Sequence, residues 1–232
     1  HVPPVSAGSA RTCLHVARNY GDVAMVVSLG SGPWKAASDA RQTVRIDRMP
    51  IPRARLRNLP GIIAWSRRAA ILARELDVSF TWCGNLKPPT YVAWTLHRRM
   101  GIPYGVILHG TELLQMRRHG TGLRKRMIAR LLLGSAAVIV TNSEWTRTMT
   151  LELLGDLGIP VAPDRVYAVP LGADLDRFRA GVSTEAVREK YDLNGGRWML
   201  TVGRLVEHKG QDHTLRALAL LRDVEPDLRY AI

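Results

Sequence analysis

The chain has 232 residues, 46% of them hydrophobic, which is enough to bury a substantial core and excludes a protein that is disordered throughout. Its longest nearly apolar run, residues 131–140, is too short to span a bilayer. The 33 Lys and Arg against 20 Asp and Glu give a net charge of +13, which favours a polyanionic partner such as nucleic acid, anionic lipid or a phosphorylated substrate.

The two cysteines, Cys13 and Cys83, are too few and too far apart in the sequence for a zinc motif or a disulfide framework. We interpret them as two buried thiols in a reducing compartment. The chain opens on His1 without a Met and without a basic-then-apolar start, which predicts no signal peptide and suggests that sequence upstream is missing.

Hydrophobic periodicity predicts strands that alternate with helices along most of the chain. The predicted strands of the first part cover residues 23–27, 78–82, 104–108, 136–140 and 166–169. The predicted helices cover residues 10–19, 61–76, 88–100 and 123–133, and another begins at about 144 with Asn142 or Ser143 as its N-cap. Apolar strands separated by helices form a parallel sheet covered on both faces.

The composition changes between residues 163 and 196, where a short polar helix over 183–191 is followed by a glycine-rich stretch over 194–196. A new strand over 198–202, a helix over 212–222 and a strand over 228–232 come next. We therefore predict three parts: a first Rossmann-like domain over 1–180, a linker over 181–196, and the beginning of a second Rossmann-like domain over 197–232 that stops inside a βαβ unit.

The loop before the last helix has the composition of an anion site. In an open parallel sheet, ligands bind where strands end and helices begin. Arg204 follows the strand over 198–202, and Lys209 precedes the helix. The planar guanidinium suits two phosphate oxygens, the ammonium adds a mobile charge, and the helix N-terminus adds free N–H groups. Two such cations suit a diphosphate, although a basic surface turn has the same composition.

Residues 202–212, VGRLVEHKGQD, resemble the nucleotide-sugar signature of glycosyltransferase family 4, also called group 1. In that family the Arg and Lys of this signature contact the donor diphosphate, which implies those roles for Arg204 and Lys209. A lone His after a strand is more often structural, but His109 resembles the family's histidine beside the transferred sugar. The resemblance implies that His109 is a catalytic-pocket residue that hydrogen-bonds to the sugar. Glu112 is either a second polar contact or an acid that favours the helix dipole.

Three further stretches resemble the same family in the same order. Residues 3–11 resemble its opening loop, in which two glycines approach the donor phosphate, but Ala7 replaces the first glycine and only Gly8 matches. Residues 139–147 resemble its S-x-x-x-R element, which we interpret as architectural, with Asn142 and Arg147 as additional site candidates. Residues 169–178 resemble its interdomain phrase.

The resemblance implies the GT-B fold, two Rossmann-like α/β domains that face each other across a cleft. It also implies a retaining transfer of sugar from a nucleoside-diphosphate sugar to an acceptor hydroxyl, in cell-envelope, polysaccharide or glycolipid synthesis. Arg204 and Lys209 would stabilise the leaving diphosphate, so we expect neither a metal nor a cofactor besides the donor substrate. The family's E-x7-E carboxylates would lie beyond Ile232, so we expect the chain alone to be inactive.

Two alternatives stay open. One is a non-catalytic Rossmann-like domain that binds phosphorylated ligands. The other is a dinucleotide enzyme, which is disfavoured because no G-x-G-x-x-G follows a strand.

A basic segment suggests an anionic partner. Six cations precede or lie within the predicted helix over 123–133: Arg117, Arg118, Arg124, Lys125, Arg126 and Arg130. The same helix has an apolar side, so it is expected either to lie on an anionic membrane surface or to be a solvated face. A second basic run, residues 41–57, contains two prolines and is interpreted as a loop. Nucleic acid is disfavoured because stacking aromatics are missing from both runs. We therefore expect a cytoplasmic protein, peripheral on the inner face of the membrane if it binds lipid.

Overall fold

The computed structural model describes residues 8–20, 26–29, 32–49, 59–118, 122–176, 178–193 and 195–232. The chain divides into two compact units, His1–Gly172 and Ala173–Ile232. Both units are built from helices and parallel strands. The boundaries predicted for a linker over 181–196 stay a prediction.

Unit 1 contains seven helices and six strands among its described residues. The helices are α1 Gly8–Asn19, α2 Pro33–Asp39, α3 Leu59–Glu75, α4 Pro89–Met100, α5 Thr111–Arg118, α6 Leu123–Gly134 and α7 Glu144–Asp156. The strands are β1 Val26–Leu29, β2 Ile46–Met49, β3 Thr81–Cys83, β4 Tyr104–Leu108, β5 Val138–Thr141 and β6 Val166–Ala168.

The centre of unit 1 is a four-stranded sheet in the order β3-β4-β5-β6, with every neighbouring pair parallel. A separate parallel pair is formed by β1 and β2. All five residues of β4 are buried, as expected for an apolar strand between two neighbours and covered on both faces. Because the four strands are parallel, their carboxyl ends lie at one edge of the sheet.

The core of unit 1 lies between this sheet and the helices that pack on it, chiefly α4, α6 and α7. Tyr104 is fully buried, and its hydroxyl donates to the Leu132 carbonyl at 2.6 Å, so the polar end of the ring is satisfied inside the core. Burial raises the pKa of Tyr104. Within the described part of the chain, no helix has both the length and the apolar character needed to cross a membrane.

Unit 2 contains α8 Glu185–Lys190, β7 Arg197–Leu200, α9 Gln211–Leu221 and β8 Leu228–Ala231. The two strands are parallel, with Arg197 opposite Leu228. Of the described residues in this unit, only Gln211 is buried. The unit is therefore a single βαβ arrangement with little core of its own.

The predicted strand over 78–82 is displaced, because β3 begins only at Thr81. Asp77 has a positive φ of 48°, and the Val78 N–H donates to the Ala73 carbonyl at 2.9 Å. Residues 77 and 78 therefore form the C-terminal cap of α3, and the strand starts after them.

The interpretation of residues 41–57 as a loop is wrong for Ile46–Met49, which is a strand paired with β1, whereas residues 41–45 belong to neither a helix nor a strand. Two of its charged side chains are paired rather than solvated: Arg48 with Asp39, and Asp47 with Arg68. These pairs keep the charges satisfied beside a strand. Residues 50–58 lie outside the described part of the chain. The sequence patterns also did not predict α2, and they indicated α5 only through Glu112 as an acid at a helix start.

Candidate functional site

The loops that follow β3, β4 and β5 lie at the carboxyl edge of the four-stranded sheet. His109 follows β4, Gly84 follows β3, and Asn142 follows β5. Such an edge is where open parallel sheets bind ligands. The geometry of these three loops therefore decides what unit 1 contributes to a site.

His109 is half-buried, and its Nε2 lies 3.0 Å from the Gly84 carbonyl oxygen. A carbonyl only accepts hydrogen bonds, so we assign the proton to Nε2, which leaves Nδ1 as the acceptor of the neutral ring. No described residue bonds to Nδ1. The imidazole is thus held by one nitrogen while the other is available to a ligand hydroxyl.

Glu112 lies in the first turn of α5, where its carboxylate accepts a hydrogen bond from the His109 backbone N–H at 3.4 Å. Gly110, with a φ of 91°, starts that helix by accepting from the N–H groups of Leu113 and Leu114. The Glu112 side chain therefore holds the His109 backbone in place. Its role as a direct ligand contact stays a prediction.

Cys13 of α1 packs against the loop that carries the Gly84 carbonyl. Its thiol donates to that same carbonyl at 3.8 Å, and a Cβ added to Gly84 would overlap the Cys13 Sγ. Both cysteines are free; burial raises the pKa of Cys13 and raises the pKa of Cys83 to about 12. This support of His109 joins Cys13 to a loop 71 residues away, so no local pattern in the sequence indicates it.

Asn142 and Arg147 are both engaged with the protein. The Asn142 Oδ1 accepts from the Thr146 hydroxyl at 2.9 Å, at the start of α7. The Arg147 guanidinium donates to the carbonyls of Val166, at 2.7 Å, and Pro163, at 3.4 Å. These contacts tie α7 to β6, while any contact of either residue with a ligand stays a prediction.

Trp145 was not among the sequence candidates. It is 63% exposed in the first turn of α7, and its ring comes within 4.0 Å of the position that a Cβ on Gly110 would take. An exposed indole beside the His109 loop offers a flat, amphipathic surface to a ligand ring. The signal in the sequence was a Trp directly after the strand-end phrase Thr-Asn-Ser-Glu.

In unit 2, the loop between β7 and α9 presents two exposed cations, Arg204 and Lys209. The 3-10 turn Glu207–Lys209 ends at Gly210, whose φ of 71° leads into α9. The buried Gln211 donates through Nε2 to the Arg204 carbonyl at 3.1 Å and so holds the loop backbone. Among the described residues no carboxylate pairs with either cation. Both charges are therefore available to an anion at a helix N-terminus.

Gly8 is the first residue of α1, and residues 1–7 of the predicted opening loop lie outside the described part of the chain. Its approach to a donor phosphate stays a prediction. Within the described ranges, no group of three or more His, Cys, Asp or Glu is placed to hold a metal ion.

The chain is similar in sequence to two curated transferases. It is 30% identical over 208 residues to the 2-deoxystreptamine glucosyltransferase of Streptomyces kanamyceticus, which covers 82% of this chain and 52% of the relative. It is 31% identical over 210 residues to the GDP-mannose-dependent alpha-(1-6)-phosphatidylinositol monomannoside mannosyltransferase of Mycolicibacterium smegmatis, which covers 86% of this chain and 50% of the relative. The chain thus spans about half the length of these relatives.

Solved structures share its fold. Anabaena HepE in complex with UDP-glucose aligns with a TM-score of 0.72 at 15% identity, over 99% of this chain and 58% of that one. A glycosyltransferase from Rickettsia africae aligns with a TM-score of 0.69 at 15% identity, over 99% and 66%. The predicted α/β fold of the GT-B type is confirmed. Residues 7–177 match the model of Glycosyltransferase Family 4, and the chain belongs to that family.

Proposed function

We propose that the protein transfers a sugar from a nucleoside-diphosphate sugar to an acceptor hydroxyl with retention of the anomeric configuration. Family membership supports a glycosyltransferase, and the relatives are named for glucosyl and mannosyl transfer. The observation that carries the proposal is the pair of exposed cations Arg204 and Lys209, unpaired with carboxylates among the described residues, on a loop held by the buried Gln211.

The proposed chemistry centres on the leaving diphosphate, which gains negative charge as the bond between its oxygen and the anomeric carbon of the sugar breaks. The acceptor oxygen bonds to that carbon, and the acceptor hydroxyl releases its proton. Arg204 can donate two parallel N–H bonds to phosphate oxygens, and Lys209 adds a second positive charge. Charge placed in advance where it develops in the transition state lowers the barrier. Two cations in this role make a divalent metal unnecessary, and the donor is the only small molecule that the proposal requires.

On unit 1, the proposal gives His109 a hydrogen bond from a sugar hydroxyl to Nδ1, the nitrogen that the Gly84 carbonyl does not occupy. Gly8 would approach the donor through its backbone. Asn142 and Glu112 are further polar candidates, although both are already hydrogen-bonded to the protein. Trp145 would pack against an acceptor ring, because it is exposed beside Gly110.

For the pathway we propose cell-envelope, polysaccharide or glycolipid synthesis. The Mycolicibacterium relative is named for a phosphatidylinositol mannoside acceptor, and the solved Anabaena structure contains UDP-glucose. These names favour a nucleotide-sugar donor and a sugar or lipid-linked acceptor for this protein too.

The test is calorimetric titration with UDP-, GDP- and ADP-sugars. Replacing Arg204→Ala should weaken binding of the preferred donor at least about tenfold, because a charge-assisted hydrogen bond contributes about 1.5–3 kcal/mol. The matched control is Arg222→Ala, an exposed arginine just beyond α9, which should leave binding unchanged. Equal effects of the two substitutions, or no binding of any donor, would overturn the assignment.

Transfer and its stereochemistry need a second measurement. The anomeric coupling constant of the product, read by proton NMR, should show the same configuration as the donor. In a protein that includes the family's E-x7-E carboxylates, donor binding without transfer of the sugar to any acceptor, and so without release of nucleoside diphosphate, would instead favour a non-catalytic domain that binds phosphorylated ligands.

A further inference from the structure

Positive charge is concentrated in one part of unit 1. Between residues 78 and 143 the sequence has a single acid, Glu112, and nine Lys and Arg. The carboxylate of that acid is engaged with the His109 N–H. More than half of the net charge of +13 therefore comes from this segment, which includes all of α6.

Within that segment, α6 has an apolar stripe on its outer face. Leu123, Met127 and Leu131 are 76%, 58% and 48% exposed, and their four-residue spacing places them on one side of the helix. The inner face, which includes Leu132 and Leu133, is buried in the core. Packing within the described protein therefore accounts for the inner face and leaves the outer stripe without a partner.

Two arginines flank the stripe. By helical geometry Arg124 and Arg130 lie on opposite sides of it, each about 60° from its middle. Both are exposed. Arg126 differs, because its Nε donates to the Leu157 carbonyl at 2.6 Å and so joins α6 to the end of α7. An apolar centre with long cationic side chains on both flanks is the arrangement of a helix that lies in a membrane interface.

The same helix is close to the candidate site. Residues 135–137 connect its C-terminus to β5, so α6 ends at the edge where the strands begin. Its N-terminus therefore points towards the carboxyl edge, which carries His109. Lys87 follows β3 at that edge, and partial burial, together with the positive charge of Lys125, lowers its pKa. Cations thus gather where the helix begins.

We propose that the outer face of α6 docks on an anionic lipid surface, with Leu123, Met127 and Leu131 entering the interface and Arg124 and Arg130 contacting headgroup phosphates. Nucleic acid would bind the cations but would leave the apolar stripe in water. A stable protein partner would need about 800 Å² of each surface, far more than three side chains provide. An anionic lipid surface removes the apolar stripe from water and also offers phosphates to the two flanking arginines.

The experiment is sedimentation of the full 232-residue chain with vesicles of phosphatidylcholine, alone or mixed with phosphatidylglycerol. Binding is expected only to the mixed vesicles. Met127→Gln combined with Leu131→Gln should lower the partition coefficient at least about tenfold, because two apolar side chains no longer leave water. Arg124→Gln and Arg130→Gln should each lower it about fivefold at low salt.

Ile71→Gln is the matched control, since Ile71 is 46% exposed on α3, close to the exposure of Leu131. It should bind as the unchanged chain does, and circular dichroism should show all variants folded. Two results would each overturn the proposal: no binding of the unchanged chain to mixed vesicles, or equal binding by the double variant with Met127→Gln and Leu131→Gln. None of these measurements uses a donor sugar, so they stand apart from the test of the transferase.

Discussion

The carbonyl of Gly84 accepts hydrogen bonds from two residues of unit 1. It accepts from the His109 ring and from the Cys13 thiol, and the absence of a side chain on Gly84 makes room for the Cys13 sulfur. A ring held in this way keeps one tautomer, and the nitrogen offered to a sugar is then always the same. The chemistry that we propose for His109 thus depends on a residue that carries no functional group.

Gly84→Ala should destabilise the chain by about 1–3 kcal/mol, the usual cost of forcing extra volume into a packed site. Cys13→Ala in the same chain should restore most of this loss, because the remaining Cys13 Cβ would lie 3.5 Å from the new methyl group, an ordinary contact. The measurement is urea unfolding of the two single variants and the double variant. Strict additivity of the two changes would contradict the proposed contact.

At the scale of one element, α7 shows how a strand end is converted into a helix. Ser143 is its N-cap, and the hydroxyl accepts from the Thr146 N–H at 3.2 Å. The sequence predicted Asn142 or Ser143 for this position, and the structure assigns it to Ser143. Asn142 instead accepts from the Thr146 hydroxyl, so both neighbours hold the same turn.

Ser143→Ala should cost about 1 kcal/mol of unfolding free energy, the usual value for the loss of an N-cap. Ser79→Ala, on an exposed residue before β3, is the control and should stay within about 0.5 kcal/mol. Thermal unfolding followed by circular dichroism compares the two. Equal losses would show that the cap bond does not stabilise α7.

Elements with a strong pattern were predicted well and the others were not. Strand β4 matches the predicted range because an apolar run buried on both faces has no competing signal. The short helix α2 and strand β2 were missed, because charged residues in a sequence favour a solvent-exposed loop. In the structure these charges form ion pairs, Arg48 with Asp39 and Asp47 with Arg68. Likewise, the support of His109 by Cys13 joins residues from distant parts of the chain, which no local pattern reveals.

For the whole molecule, the two units differ in how much they bury. In unit 1 the strand β4 is fully buried between β3 and β5, whereas in unit 2 the described strands β7 and β8 have only each other and no buried residue. Two-stranded sheets without a covered face are marginal in water. Among the described residues, the buried hydrophobic core therefore lies in unit 1.

Amide hydrogen exchange should show this contrast. Peptides that contain residues 104–108 should stay protected longest, because their exchange needs the global unfolding of unit 1. Peptides that contain residues 197–200 should exchange at least about a hundredfold faster, since local opening breaks only one strand pair. Mass spectrometry at several exchange times measures both. Equal protection of the two peptides would mean that the units open together.

The hydrogen bond between Arg126 and the Leu157 carbonyl affects how far the His109 edge lies from a surface on which α6 docks. It fastens α6 to α7, so α6 moves with the sheet that both helices cover. Because α6 leads back to the start of β5, laying its outer face on a plane also lays the strands along that plane. In the proposed docking, the carboxyl edge that carries His109 faces parallel to the membrane plane. Its distance from that plane is set by the thickness of one helix, about 10 Å, rather than by a loop.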